Sequence, residues 1–156
     1  MDILKLLKEL DIDYELLEHE AVFTSEQSAF IKKLIDGVGV KNLFLKDTKK
    51  NYYLLLREDT KQVDLKQLKE ILNTSRLSFS NEEELKEILN LDKGSVTPLG
   101  IVSDKNNLVT IIIDEELSNK KLLMHPLINT STISIEYNDL IKFIDNQNHH
   151  YIKISL

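Results

Sequence analysis

The spacing of apolar and polar residues predicts a series of helices along the chain. The first covers residues 1–10, where apolar residues recur at helical spacing: Ile3, Leu6, Leu7 and Leu10. Three later helices open with a polar cap followed three positions on by Gln or Glu: Thr24 with Gln27, Asp64 with Gln67, and Asn81 with Glu84. We expect the helix after Thr24 to run to about Ile35 and stop at Gly37, and the helix after Asn81 to close at Gly94. A last helix is predicted over 138–144.

Short apolar runs bounded by turn residues predict the strands between these helices. They cover residues 14–18, 42–46, 52–57, 77–79, 99–102, 108–113, 133–135 and 151–154. The lysine-rich turn at 47–51 indicates one hairpin, and the polar cluster at 103–107 indicates a second one between 99–102 and 108–113. Because helices and strands interleave while several strand pairs join by short turns, we predict an α+β fold. Its central sheet should be mixed and curved, with helices on its faces.

Composition and length narrow the class of protein. A chain of 156 residues fits one domain over 1–156, and 42% hydrophobic with 29% charged residues is typical of a soluble globular protein. No run approaches the ~18 apolar residues that a membrane span requires, and the early Asp2 does not fit a secretory signal. The absence of cysteine excludes disulfides, thiolate nucleophiles and cysteine-bound metals. We therefore expect a cytoplasmic protein.

The lysines are concentrated in one part of an acidic chain. The net charge is −6, yet residues 32–50 hold six lysines and only two acids. A confined basic patch fits a partner contacted over a small footprint, such as the end of an RNA, better than a long duplex. For the turn at 47–51 alone, ordinary solvated surface is the competing interpretation.

The first candidate site lies in the segment from Gly39 to Asp47. Lys41 and Asn42 stand at the start of an apolar strand, and Lys46 stands at its end. This arrangement favours a site for an anionic or carbonyl-bearing ligand at a sheet edge. The alternative is that the lysines only keep the strand ends solvated.

Two further segments offer groups for chemistry. The first, Gly94-Ser95-Val96-Thr97-Pro98, combines a glycine, two hydroxyls and a proline, so its amides could hold a carbonyl oxygen or an oxyanion. An ordinary connection between a helix and a strand is the alternative. The second contains His125, which is restricted to extended conformations because Pro126 follows it, and the hydrogen-bonding residues Asn129 and Thr130.

The remaining histidines and motifs argue against a metal or cofactor. His149 and His150 are adjacent on a predicted strand and should face opposite ways, and His19 has no ligand partner at helical spacing. The sequence has no serine elbow, phosphate-binding glycine loop, dinucleotide fingerprint or zinc-binding helix. An enzyme with these residues would work without a strong nucleophile, for example by hydrolysing an activated ester.

Taken together, the three segments resemble one family in their order and spacing. It is the free-standing prolyl-tRNA editing proteins of the YbaK type, related to the editing domain inserted in bacterial prolyl-tRNA synthetases. Within it the chain is most similar to the ProX/PrdX branch, which deacylates alanyl-tRNA(Pro). The resemblance covers essentially the whole chain, with one departure, since Gly39 and Val40 stand where a polar residue or histidine is expected before the lysine.

The resemblance implies a role for each matching residue. Lys41 would hold the phosphate or ribose of the terminal adenosine, the loop at Gly94 would cradle the aminoacyl group, and His125 would lie at the pocket rim. These three are the implied catalytic residues. The implied substrate-binding residues are Thr24, Asn42, Lys46, Ser95, Val96, Thr97, Pro98, Asn129 and Thr130. We expect Lys41 and Gly94 to meet in one cavity.

The function implied by the resemblance is hydrolysis of mischarged alanyl-tRNA(Pro) in trans, as proofreading for prolyl-tRNA synthetase. No metal or cofactor is implied, and the partners are the acceptor end of tRNA(Pro) and, as a candidate, prolyl-tRNA synthetase. Two alternatives remain open. One is editing of cysteinyl-tRNA(Pro) or another mischarged tRNA, and the other is a non-catalytic module that binds tRNA or a translation factor.

Overall fold

A mixed sheet with helices on its faces organises the chain. The computed structural model describes residues 1–156, apart from the side chain of Ser25. The helices are α1 (Ile3–Glu9), α2 (Ser25–Lys32), α3 (Leu65–Leu72), α4 (Glu82–Leu89) and α5 (Tyr137–Asn146). The strands are β1 (Glu15–Glu18), β2 (Val38–Lys46), β3 (Tyr52–Glu58), β4 (Ser78–Phe79), β5 (Val109–Asp114), β6 (Lys121–Met124), β7 (Ser131–Glu136) and β8 (Tyr151–Ile154). None of the described helices is long and apolar enough to cross a membrane.

The sheet order confirms the predicted mixed α+β architecture. The strands follow one another as β1-β7-β6-β2-β3-β5-β8, and β4 pairs with β2 away from this path. β2 and β3 form the predicted antiparallel hairpin, whereas β5 runs parallel to both β3 and β8. β3 and β5 are covered on both faces, since residues 54–56 and 111–113 are fully buried, whereas β8 is a partly exposed edge strand.

Alternating residues of β2 separate two cores. Phe44 packs in the larger core together with α1, α5 and a 3₁₀ helix at Pro98–Ser103, while Leu45 packs in the smaller core against α3. The side chains of a strand point alternately to opposite faces, so Val40 and Asn42 share the face of Phe44. The neighbouring Lys41 shares the face of Leu45.

The second predicted hairpin is wrong. Residues Pro98–Ser103 form a 3₁₀ helix, started by the Thr97 hydroxyl, which accepts a hydrogen bond from the Leu99 amide. The polar cluster that follows does turn the chain, since the Asp104 carboxylate accepts the amides of Leu108 and Val109. After this turn β5 lies between β3 and β8, parallel to both, and does not pair with residues 99–102.

Two helix ends also differ from the prediction, and one strand was missed. α2 ends at Lys32, so Gly37 does not stop the helix. Gly37 is instead needed for close packing, since a Cβ there would lie 2.7 Å from a methyl group of Leu123. α4 ends at Leu89 and is capped by Asn90, which adopts the left-handed conformation at φ +53°, four residues before Gly94. β6 was not predicted from the sequence, because its four residues directly precede His125 and Pro126, which were interpreted as part of the site.

Candidate active site

Two neighbouring cavities open beside the start of β2 and share one wall. The smaller, which we call the inner cavity, has a volume of about 80 Å³, and the larger, the outer cleft, about 820 Å³. Both are lined by Val22, Ser28, Lys32, Asp59 and His125. The inner cavity is completed by Ile31, Gly39, Val40, Asn42, Leu123, Met124 and Thr132. The outer cleft is completed by Phe23, Thr24, Thr60, Lys93 and Gly94.

The part of β2 beside the inner cavity is an open strand edge. Among the described residues, β2 pairs with β6 only at residues 38–39 and with β4 only at residues 45–46, and the Phe44 carbonyl accepts the Ser80 amide at 2.9 Å, so residues 40–43 have no backbone partner on that side. An uncovered edge offers backbone donors and acceptors to a ligand. Asn42 lies in this gap, and its side-chain oxygen is buried without a hydrogen-bond partner among the described residues. Asn42, which lines the inner cavity, therefore keeps one buried acceptor without a partner among the described residues.

His125 stands where the two cavities meet. Its Nδ1 lies 2.8 Å from the carbonyl oxygen of Ser131, and because a carbonyl only accepts, Nδ1 carries the proton. Burial lowers the pKa of His125, the nearby ring of His19 lowers it further, and together they outweigh the hydrogen bond to Ser131. The imidazole is therefore neutral at neutral pH, and Nε2 is left as a proton acceptor. The structure places this predicted residue in both cavities.

Gly94, the residue at the predicted main-chain bend, lines the outer cleft. Its φ is +92°, a conformation that residues with a side chain adopt only with strain. The side-chain nitrogen of Asn129 lies 3.5 Å from the position that a Cβ on Gly94 would take, so these two predicted residues are neighbours. Thr24 lines the same cleft, while its hydroxyl accepts the Gln27 amide and caps α2.

The rest of the predicted loop has mainly a structural role. Ser95, Thr97 and Pro98 are buried, and Thr97 is used in starting the 3₁₀ helix. Val96 lies in a separate surface pocket that it shares with Asn42. Thr130 is exposed, and its carbonyl accepts the His19 amide at 2.9 Å. None of these side chains lines the inner cavity or the outer cleft in the described residues.

Lys41 lies at the open edge but on the other face of the sheet. It stands opposite Arg57 in the β2–β3 ladder. The Nε of Arg57 donates to the buried Asp114 carboxylate at 3.1 Å. Lys41 is half-buried, and none of the described side chains forms an ion pair with it. The expected meeting of Lys41 and Gly94 in one cavity is not observed, because strand alternation directs Asn42, not Lys41, toward the inner cavity.

Lys46 is held in an ion pair and does not line either cavity. Its Nζ lies 2.7 Å from Oε1 of Glu84, whose other oxygen accepts the Tyr52 hydroxyl at 2.6 Å. Burial alone would raise the pKa of Glu84, but the bonds from Lys46 and Tyr52 lower it to about 2. The same contact raises the pKa of Tyr52 to about 12. Lys46 thus joins β2 to α4.

Two pairs of residues at the site were not predicted from the sequence. Lys32 and Asp59, which lie 27 positions apart, form an ion pair at 2.7 Å in the shared wall of the cavities. His19 donates from Nδ1 to its neighbour's carbonyl, and its Nε2 accepts from the Thr132 hydroxyl at 2.8 Å. Both pairs are joined only by the tertiary fold. The one signal in the sequence was Gly39, since its missing side chain leaves room for the ion pair.

Comparison with known proteins identifies the family. Residues 19–143 match the family model described as the aminoacyl-tRNA editing domain. The chain belongs to this family. It is 34% identical to the prolyl-tRNA editing protein ProX of Acetoanaerobium sticklandii, over 99% of this chain and 95% of that protein. It is 32% identical to the prolyl-tRNA synthetase associated domain-containing protein 1 of Danio rerio, over 97% of this chain and 84% of that protein.

Solved structures show the same fold at lower identity. The crystal structure of a hypothetical protein matches with a TM-score of 0.75 and 14% identity over the whole of both chains. A structure described as a proposed trans-editing enzyme for prolyl-tRNA synthetase matches with a TM-score of 0.69 and 19% identity, over 92% of this chain and 87% of that one. These matches confirm the editing-domain fold expected from the resemblance.

This editing domain offers binding and proton-accepting groups at the junction of its cavities. Among the described residues, no group of three or more histidine, cysteine, aspartate or glutamate side chains could hold a metal ion. The junction combines the neutral imidazole of His125, the backbone bend at Gly94 and the polar wall formed by Lys32 and Asp59. Such groups can position a water, accept its proton and stabilise an oxyanion.

Proposed function

We propose that this chain is a trans-acting hydrolase that removes alanine from mischarged alanyl-tRNA(Pro). The observation that carries the proposal is the small inner cavity that joins the outer cleft at His125. An aminoacylated RNA end in the outer cleft would place its ester near the junction and its amino-acid side chain toward the inner cavity. Membership of the aminoacyl-tRNA editing domain family and the similarity to ProX support this assignment.

The proposed reaction is attack of water on the aminoacyl ester. His125 Nε2 takes a proton from the water as the water oxygen bonds to the carbonyl carbon, and the Gly94 amide stabilises the oxyanion, because the Ser95 amide already donates to Asp92. The bond to the ribose oxygen then breaks, the protonated His125 gives its proton to that oxygen and returns to the neutral form, and free alanine and deacylated tRNA leave. An aminoacyl ester is labile enough that positioning and charge stabilisation suffice without a protein nucleophile.

Size explains why alanine is the proposed substrate. A hydrophobic pocket discriminates by only ~1–3 kcal/mol per methylene, so a synthetase that accepts proline cannot fully reject alanine. A second, smaller site can admit alanine and exclude proline. The inner cavity, at about 80 Å³, is suited to a small side chain.

Lys41 is proposed to bind a phosphate of the RNA end at the open edge of β2. Lys41 is half-buried as a residue and has no ion-pair partner among the described side chains, while the neighbouring Asn42 lines the inner cavity. The two residues would therefore contact the substrate from opposite faces of the same edge. The RNA end is the proposed partner, with prolyl-tRNA synthetase as a candidate second partner.

A deacylation panel tests the proposed function. We expect the protein to hydrolyse alanyl-tRNA(Pro) and to spare prolyl-tRNA(Pro), with cysteinyl- and seryl-tRNA(Pro) as the competing substrates. Lys41→Ala should abolish hydrolysis while the fold, monitored by circular dichroism, is retained. Lys49→Ala removes an exposed lysine of the nearby turn and is the matched control. Fastest turnover of the cysteinyl ester would reassign the substrate, and binding without turnover would indicate a non-catalytic module.

A further inference from the structure

The ion pair of Lys32 and Asp59 occupies an unusual position in the wall of the site. Lys32 Nζ lies 2.7 Å and 2.8 Å from the two carboxylate oxygens of Asp59, and the side chains are 32% and 26% exposed. Both residues line the inner cavity and the outer cleft. No other ion pair among the described residues has both partners in these cavities. Its charges are therefore available to a ligand at the junction.

The backbone of β2 is adapted to the ion pair. A Cβ on Gly39 would lie 2.7 Å from Cε of Lys32 and would also overlap the Asp59 carboxylate. The Asp59 amide donates to the carbonyl of Gly39 at 2.9 Å, which fixes the start of the turn after β3 against β2. The carboxylate is thus held at the cavity wall by the main chain as well as by Lys32.

An aminoacyl ester carries a positive charge that matches this carboxylate. Its α-ammonium is one bond from the carbon next to the reacting carbonyl, so it must lie close to the junction whenever the ester does. A carboxylate that is three-quarters buried needs a positive partner. In the free protein Lys32 supplies it, and a bound α-ammonium could take the same place with strong charge-assisted hydrogen bonds.

From this geometry, and resting on the proposed function, we infer that Asp59 binds the α-ammonium of the aminoacyl group. Lys32 holds the carboxylate in position until substrate arrives and then turns toward the outer cleft, where phosphates of the RNA end lie. Asp59 is therefore a substrate-binding residue that fixes the orientation of the ester. The competing interpretation is that the ion pair only ties α2 to the end of β3.

The test compares two esters that differ only at the α position. Wild type and Asp59→Asn are assayed with alanyl-tRNA(Pro) and with lactyl-tRNA(Pro), in which a hydroxyl replaces the ammonium. Each rate is divided by the spontaneous hydrolysis rate of that ester, because the ammonium also activates the carbonyl. We expect Asp59→Asn to lower kcat/KM for the alanyl ester by about 10- to 100-fold and to leave the lactyl ester nearly unaffected. Asp36→Asn, at an exposed acid that pairs with Lys121 outside the cavities, is the control.

Lys32→Met gives an independent second measurement. Asp59 remains in this variant, so the preference for the alanyl ester should persist while the salt dependence of KM weakens by about one phosphate contact. An unchanged preference in Asp59→Asn or no preference in the wild type would each overturn the role of Asp59, and an unchanged salt dependence in Lys32→Met would overturn the movement of Lys32 toward the phosphates. In those cases the hydrolase remains active. A wild type that hydrolyses neither ester would instead remove the proposed function itself.

Discussion

Glu84 offers the most quantitative test of how β2, β3 and α4 are held together. Its carboxylate accepts hydrogen bonds from Lys46 at 2.7 Å, from the Tyr52 hydroxyl at 2.6 Å and from the Asn81 amide at 3.1 Å. Glu84→Gln keeps the size of the side chain but removes its charge. The variant should lose stability, because the Lys46 ammonium is left partly buried without a counter-charge.

The pKa of Glu84 sets the size of the effect. Burial would raise this pKa, but the hydrogen bonds lower it to about 2 from an ordinary 4.5, a shift equivalent to roughly 3 kcal/mol. Because the Lys46 side chain is 28% exposed, solvent screening reduces the expected loss to about 2 kcal/mol. A carboxyl with a lowered pKa stabilises the fold fully above its unfolded value. The contribution should therefore be present above pH 4.5 and disappear as the pH falls toward 2.

Urea unfolding at a series of pH values measures this contribution. At neutral pH we expect Glu84→Gln to unfold at a lower urea concentration, and below pH 4.5 the difference from wild type should shrink. Asp92→Asn, in the exposed pair with Lys86 at 3.2 Å, should change stability by less than about 0.5 kcal/mol. Equal urea midpoints for wild type and Glu84→Gln at neutral pH would refute the reasoning. So would a difference that stays constant down to pH 2.

Two further predictions concern His125 and Asp47. His125→Asn should lower kcat by about 10²–10⁴-fold. Because burial lowers the pKa of His125, the wild-type rate should fall only at pH values below the ordinary pKa of 6.5. A full rate in the variant, or a wild-type rate that already falls above pH 6.5, would contradict the role of His125 as the base. Burial would raise the pKa of Asp47, but hydrogen bonds from Thr74, Asn51 and Lys49 lower it to about 2 from 3.8. Asp47→Asn should therefore cost about 2 kcal/mol in urea unfolding at neutral pH, a loss that vanishes as the pH falls from 3.8 toward 2, and an unchanged midpoint would contradict this.

Local features of the fold were predictable from the sequence. The capping boxes at Thr24 and Asn81 form as expected, because each depends on residues only three positions apart. The second hairpin was wrong because a short apolar run does not distinguish a strand from a buried helical segment. Gly100 allows that segment to pack closely in the core, since a Cβ there would lie 2.7 Å from a methyl group of Leu91.

The candidate site was predictable only in part, because some of its contacts depend on strand register and on packing between distant elements. His125, Gly94, Thr24 and Asn129 do gather around the outer cleft, since two short loops and a helix cap carry them. The direction of Lys41 depends on the register of β2 against its neighbours, which motif spacing does not contain. The ion pair of Lys32 with Asp59 needs α2 to pack over the end of β3, and nothing close to either residue in the sequence indicates that contact.

The pairing of β1 with β7 has a consequence for how the protein is made. Residues 15–18 find their only strand partner at residues 131–134, so the ribosome needs on the order of ten seconds to supply it. During that interval the apolar side of α1, with Ile3 and Leu7, has no complete core to enter. The nascent polypeptide can therefore complete this part of the sheet only after residues 131–134 have been made, and residues 3–18 depend on protection from aggregation until then.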